Sequence, residues 1–374
     1  MAKQTSKILL CSVLAEAIYI SRGELVDKFL SKGFDIILVA PEEESTIPFD
    51  LINNNSVKYY RINLQRTGMN PFRDISTINQ IKSIIRKEKP SHVYSFGGAK
   101  AAIYTSLAGA KGSVRNNYCM INGLGSIFRG EGIKNKLTRK VMSALFKRAL
   151  NKSDGVIFQN EDDRQEFINK SLVVKDKTHI VNGSGVNLDI FTYTSIENFN
   201  SFLFVGRLLK DKGIYEYVEA ARILKKTYPN TSFSIVGGFD DNPTGVSEAE
   251  INEWIEEGII TFHGKQKNVL PYYQECTAFV LPSYHEGTPR TSLEAMSVGR
   301  SIITTDAPGC RETVVEGVNG YLVPVKNVTV LVKRIEAIIK SPKLAQTMGY
   351  ESFKLAKEKY DVHKVNESIL KIIL

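Results

Sequence analysis

The stretch that decides the fold runs from residue 202 to residue 236, FLFVGRLLKDKGIYEYVEAARILKKTYPNTSFSIV. Residues 202–205 are an apolar run of strand length. A polar loop beginning and ending in glycine, GRLLKDKG, follows, and from Ile214 apolar side chains recur at helical spacing. Residues 232–236 return to an apolar run. Strand, loop, amphipathic helix and strand make a βαβ unit, in which the helix carries the chain back and the two strands lie parallel.

The same alternation extends in both directions. Before this unit, residues 7–13, 35–40, 57–62, 92–95, 117–120 and 156–159 read as strands, and residues 21–31, 75–89, 99–110 and 136–150 as helices. After it, residues 259–262, 278–281, 301–304 and 321–323 read as strands. Two series of strand–helix units predict an α/β protein of two Rossmann-like, doubly wound domains. The expected division is residues 1–185 and 201–358, joined by a linker over 186–200, within a polar stretch from Asn182 to Asn200 that contains Gly183 and Gly185. A C-terminal helix over 359–374, with Val362, Val365, Ile369, Ile372 and Ile373 at helical spacing, is expected to pack on the first domain.

A chain of 374 residues, 43% hydrophobic, supplies a core for each domain. The longest uncharged stretches, 116–128 and 227–239, are too short and too polar to span a bilayer. No signal peptide is evident at the N-terminus, so a cytoplasmic location is expected. Four cysteines lack Cys-x-x-Cys spacing, which points to buried thiols. The net charge of +9 is uneven: residues 1–190 hold 28 Lys and Arg against 18 Asp and Glu, and the remainder 21 against 22. The basic half suits an anionic partner, namely a bilayer, a phosphorylated substrate or a nucleic acid. Residues 133–152 concentrate this charge on an amphipathic helix. That helix either lies on an anionic membrane or packs its apolar stripe inward with its cations in water.

Chemistry concentrates in the second series. Gly206 and Arg207 end its first strand, and Lys212 precedes the next helix. Carboxyl ends of parallel strands are where ligands bind, and two cations there suit a diphosphate; the alternative makes Lys210 and Lys212 ordinary helix-start residues, with Arg207 paired to a neighbouring glutamate. Residues 282–296, PSYHEGTPRTSLEAM, place Glu286 after a strand and Glu294 within a helix whose start is signalled by Gly287, Thr288 and Pro289. Such a helix start favours an anion, and Glu294 is placed to accept from ribose hydroxyls. On residue types alone, two solvated glutamates remain the plainer reading.

Together these segments, with GRSIITTDAPGCRETV from Gly299 and NGYLV from Asn319, resemble glycosyltransferase family 4 over nearly the whole chain. Arg22-Gly23, GLGSIF from Gly123, FQNEDD from Phe158 and NGSGVNLDIF from Asn182 resemble members that build bacterial surface polysaccharides and lipid-linked oligosaccharides. VGGFDDNP from Val236 is similar to N-acetylgalactosaminyltransferases acting on undecaprenyl-diphosphate-linked sugars. The resemblance implies a GT-B fold, two Rossmann-like domains facing across a cleft, and a retaining enzyme that transfers a sugar from a UDP-sugar to a polyprenyl-diphosphate-linked saccharide. It further implies that Arg207 and Lys212 bind the donor diphosphate, that Glu286 and the Gly287, Thr288 and Pro289 backbone meet the sugar, and that Glu294 holds the ribose. Arg290 is expected beside the sugar pocket. On the acceptor side the candidates are Arg22, Gly98, Lys100, Asn122 and Gly123. The family's first-domain histidine is missing from SFGGAKAAIY, where Lys100 is the candidate substitute.

No metal is expected, because Asp-x-Asp is absent and Arg207 with Lys212 supply positive charge. Asp162-Asp163 and Asp240-Asp241 read as capping pairs. Gly123-x-Gly125 and Gly183-x-Gly185 lack the third glycine of a dinucleotide fingerprint and read as close-approach loops. A UDP-sugar 2-epimerase is the alternative enzyme. A nucleic-acid-binding protein is the alternative of another class, but no helix-turn-helix, zinc or aromatic RNA-binding motif supports it, so no nucleic-acid partner is expected. The expected partners are a UDP-sugar, a lipid-linked acceptor and an anionic membrane surface.

Overall fold

A computed structural model describes residues 6–65, 68, 70–109, 114–122, 133–240 and 242–374, the side chains of 133–138 excepted. The chain forms two compact units, Met1–Ser184 with Val365–Leu374, and Gly185–Lys364.

The first unit holds a parallel sheet of β1 (Lys7–Ser12), β2 (Asp35–Ala40), β3 (Val57–Arg61), β4 (His92–Phe96), β5 (Asn116–Ile121), β6 (Gly155–Phe158) and β7 (Thr178–Ile180). Its order is β3-β2-β1-β4-β5-β6-β7. Helices α1 (Ala15–Tyr19), α2 (Gly23–Ser31), α3 (Phe49–Ile52), α4 (Pro71–Glu88), α5 (Ala99–Ala108), α6 (Ile133–Leu150) and α7 (Glu161–Asn169) connect the strands. Successive side chains of a strand point to opposite faces. Accordingly Leu9, Cys11, Ile37, Val39 and Val93 enter one core with Phe146 of α6, while Ile8, Leu10, Ile36, Leu38 and Tyr94 enter another. Burial on both faces is why these strands read as continuous apolar runs.

The second unit repeats the plan with β8 (Ser201–Val205), β9 (Ser232–Val236), β10 (Thr261–Phe262), β11 (Ala278–Leu281), β12 (Ser301–Thr305) and β13 (Gly320–Val323), in the order β10-β9-β8-β11-β12-β13, all parallel. Its helices are α8 (Ile214–Thr227), α9 (Glu248–Glu256), α10 (Leu270–Glu275), α11 (Arg290–Ser297), α12 (Val328–Ile339) and α13 (Pro342–Leu355). In both units the order reverses beside the first strand, and a crevice opens there at the carboxyl edge of a doubly wound sheet.

Helix α14 (Val362–Ile373) begins in the second unit and ends in the first. Its Val365, Ile369, Leu370 and Ile373 complete the core around Ile8 and Leu10, and Lys28 donates to Glu367 at 2.6 Å.

Two expectations change, and for α6 one of the two alternatives is met. Residues 186–200 are no loose linker: Val186, Phe191 and Ile196 are buried in the second core, because three apolar anchors outweigh the polar residues between them. In the described part of α6, Met142, Phe146, Ala149 and Leu150 are buried, so the apolar stripe faces the protein and Lys140, Lys147 and Arg148 face solvent. The cap of α7 is Asn160, whose side chain accepts from Asp163 N at 2.8 Å, rather than an aspartate. Gly185 does make a close approach, since a Cβ there would lie 2.6 Å from Val362 Cα. Among the described residues, no helix is long and apolar enough to cross a membrane. All four cysteines are buried and unbridged.

Candidate active site

Arg207 follows β8, and Glu286 follows β11, the two strands at the reversal of the second sheet. The loops carrying them are pressed together because Gly213, at φ +74°, leaves no Cβ to overlap the Pro282 carbonyl. Tyr284 N then donates to the Asp211 carbonyl at 2.9 Å. This stitching brings Lys212 Nζ onto Glu286 Oε1, which also accepts from Ser283 Oγ at 2.8 Å. From the other side Glu286 N donates to Pro308 O at 3.0 Å. Gly309 permits that contact, for a Cβ at its φ of +75° would overlap the Glu286 and Gly287 carbonyls.

Arg207 is also paired. Its Nη1 donates to Asp240 Oδ2 at 2.8 Å, and the aspartate is only 5% exposed while the arginine is 52% exposed. Asp240 Oδ1 accepts from Asn242 N at 3.1 Å, so a local turn holds the carboxylate that holds the arginine. Gly206 is packed against Gly237, where a Cβ would overlap the Gly206 carbonyl. Asp240 was read as a cap in the sequence; its partner is instead the arginine expected at the diphosphate.

Helix α11 starts at Arg290, with Pro289 as the residue before it and no side-chain cap. Thr288 is buried beside it. Glu294 is 6% exposed. Its Oε1 accepts from Arg290 Nε at 2.9 Å, and its Oε2 accepts from Tyr273 OH at 3.0 Å. Burial pushes the Glu294 carboxyl above its usual range, while Arg290 and the tyrosine hydroxyl draw it back. Arg290 is therefore the acid's partner within the helix. Arg207, Lys212, Glu286 and Glu294 thus come with Asp240, Ser283 and Tyr273, which sequence reasoning did not assign to the site.

In the first unit, Arg22 caps α2 and is buried, with Nη2 donating to Met120 Sδ at 2.9 Å. Gly98 precedes α5, where a Cβ would lie 3.2 Å from the Val13 methyls. Asn122 is exposed just beyond β5. Lys100, the candidate substitute for the missing histidine, has its Nζ 3.5 Å from Asp74 of α4, on which α5 packs. Gly123 lies outside the described residues, as do the rest of GLGSIF and the side chains of Lys134 and Lys136.

Residues 7–160 match the family described as glycosyl transferase 4-like, and residues 187–355 match glycosyl transferases group 1. The chain belongs to the glycosyltransferases. This glycosyltransferase is 25% identical over 370 residues, 95% of each chain, to the N,N'-diacetylbacillosaminyl-diphospho-undecaprenol alpha-1,3-N-acetylgalactosaminyltransferase of Campylobacter jejuni. It is 22% identical to the capsular polysaccharide biosynthesis glycosyltransferase CapM of Staphylococcus aureus, covering 98% of this chain and 96% of that one. Among solved structures, sucrose-phosphate synthase from Thermosynechococcus elongatus superposes with a TM-score of 0.81 at 19% identity, covering 98% of both chains. Anabaena HepE in complex with UDP-glucose superposes at 0.75 with 17% identity over 98% of both. The glycosyltransferase has the GT-B fold.

Proposed function

We propose that this glycosyltransferase transfers an N-acetylhexosamine, with N-acetylgalactosamine favoured, from its UDP donor to a polyprenyl-diphosphate-linked saccharide, retaining anomeric configuration. The arrangement that carries the reading is Arg207 and Lys212 at the switch point of the second sheet, with Glu286 and Glu294 beside them. The Campylobacter relative, named for a transfer of this kind, supports the choice of sugar and acceptor.

In the proposed reaction the bond from the anomeric carbon to the diphosphate oxygen breaks. The acceptor hydroxyl forms its bond on the same face, and its proton passes to the departing phosphate. Negative charge grows on that phosphate in the transition state, and preorganised cations stabilise the change more than they stabilise the bound donor. Arg207 and Lys212 supply this charge, so no divalent cation is invoked. Glu294 takes the ribose hydroxyls, Glu286 and the segment from Gly287 to Arg290 the sugar. Arg22, Gly98 and Asn122, at the carboxyl edge of the first sheet, are the acceptor-side groups.

Work at the inner face of the cytoplasmic membrane fits the acceptor. Exposed Lys140, Lys147 and Arg148 of α6 supply attraction to anionic lipid, and Phe72 and Ile75 of α4 are 87% and 57% exposed. The test is incubation with a panel of UDP-sugars and polyprenyl-diphosphate saccharides, with and without EDTA, followed by mass and anomeric assignment of the extended lipid. An α-linked N-acetylhexosamine added equally well in EDTA is expected. Release of sugar without lipid extension, or activity restored only by a divalent ion, would refute the proposal.

A further inference from the structure

The ring of Tyr273 is fully buried, 6.2 Å from Phe191 and 5.9 Å from Phe279. Only its hydroxyl has polar work, and that hydroxyl donates to Glu294 Oε2 at 3.0 Å. The six-residue helix α10 that carries Tyr273 is too short to hold itself in place. Arg300 holds it: this guanidinium is fully buried, donating from Nε to Tyr273 O at 2.7 Å and from Nη2 to Gln274 O at 2.6 Å. Its Nη1 reaches the Val298 carbonyl at 3.1 Å, at the end of α11. One cation therefore locks α10 and α11 in register. Arg290, the other partner of Glu294, is 28% exposed and lies on a long side chain that solvent can recruit.

We propose that Tyr273 is a positioning residue for donor binding: its immobile hydroxyl orients the Glu294 carboxylate and leaves the remaining lone pairs to accept from the nucleotide's ribose. A carboxylate has about four acceptor positions, so two internal donors leave room for two ligand hydroxyls. The inference rests on the reading of Glu294 as the ribose ligand. The charged and titratable groups facing this carboxylate are Arg290 from its own helix and Tyr273 from α10, with the Cys276 thiol beside Tyr273. Removing the hydroxyl takes away a donor that favours the ionised acid, so protonation of Glu294 sets in at higher pH.

The test is Tyr273→Phe, which keeps the ring and its packing. UDP affinity is expected to fall about fivefold to tenfold, the net size of about one ordinary hydrogen bond. KM for the UDP-sugar rises with it, kcat stays within about twofold, and the acid limb of UDP binding moves to higher pH. Glu294→Ala and the double variant complete the cycle, in which the phenylalanine change has no further effect once Glu294 is gone. Wild-type UDP affinity in Tyr273→Phe, or the same loss in the Glu294→Ala background, overturns the inference. Wild-type affinity in Glu294→Ala instead overturns the ribose assignment on which it stands.

Discussion

Replacing Lys212 by alanine tests the chemistry at its most exposed point. Two unit charges about 4 Å apart interact by about 4 kcal/mol at an effective dielectric constant of 20, suited to a site near the surface. Lys212 is 21% exposed and Glu286 12%, so that regime applies. As the anomeric bond breaks, roughly one further negative charge develops on the diphosphate. Lysine loss therefore removes up to about 4 kcal/mol from the transition state, and with Arg207 still present the expected fall in kcat is about 100- to 1,000-fold. The fold should survive, because Glu286 keeps the Ser283 hydroxyl at 2.8 Å and some access to water. Initial rates at saturating donor, UDP titration and thermal melting separate these effects. A variant that keeps more than about a tenth of wild-type kcat would refute the role of Lys212. A loss of turnover that merely follows collapse of the fold would refute the partition between site and scaffold.

Two further predictions concern the scaffold. Glu88 is 5% exposed and accepts from Tyr60 OH at 2.6 Å, Lys7 Nζ at 2.9 Å and Lys58 Nζ at 3.3 Å. The tyrosine hydroxyl first, then the two lysines, hold its carboxyl down at about 2, against 4.5 for an ordinary glutamate. The stabilisation is thus complete above the unfolded value and lost as pH falls from about 4.5 through about 2. Discounted for the exposed lysines, it is about 2 kcal/mol at neutral pH. In urea titrations Glu88→Gln should lose that amount at pH 7, and the gap should close in acid; an unchanged gap refutes the linkage. Gly309→Ala forces a Cβ into the Glu286 and Gly287 carbonyls at positive φ and should cost at least about 2 kcal/mol while raising donor KM. Gly317 has a similar φ but nothing within 4 Å, so its alanine variant should show the backbone cost of about 1 kcal/mol alone. Equal melting losses in the two variants would contradict the close approach at Gly309.

Apolar runs such as ILLC and IILVA announced their strands because both faces of the sheet are covered. Strand β7 escaped notice, being three half-exposed residues at a sheet edge. The places of Arg207 and Glu286 after the carboxyl ends of β8 and β11, and of Glu294 within α11, were legible because strand ends and helix starts can be read along the chain. Their partners were not. Asp240 lies 33 residues from Arg207, and Tyr273 lies 21 from Glu294 inside an unremarkable LPYYQE. Which acid meets which cation depends on how loops fold back, and periodicity carries no information about that. The partner of Lys100 was hidden for the same reason, since only the packing of α5 on α4 reveals Asp74 as its neighbour. Residues 186–200 misled because composition counts polar residues, whereas Val186, Phe191 and Ile196 decide where the segment sits.

The course of α14 bears on how the polypeptide matures during translation. The hydrophobic layer around Ile8 and Leu10 is finished by Val365, Ile369, Leu370 and Ile373, which leave the ribosome only after every residue of the second unit. The first unit must therefore wait, with part of its interior unsealed, until residues 365–373 have been made. A nascent chain stalled anywhere in the second unit presents that unsealed surface to chaperones and proteases.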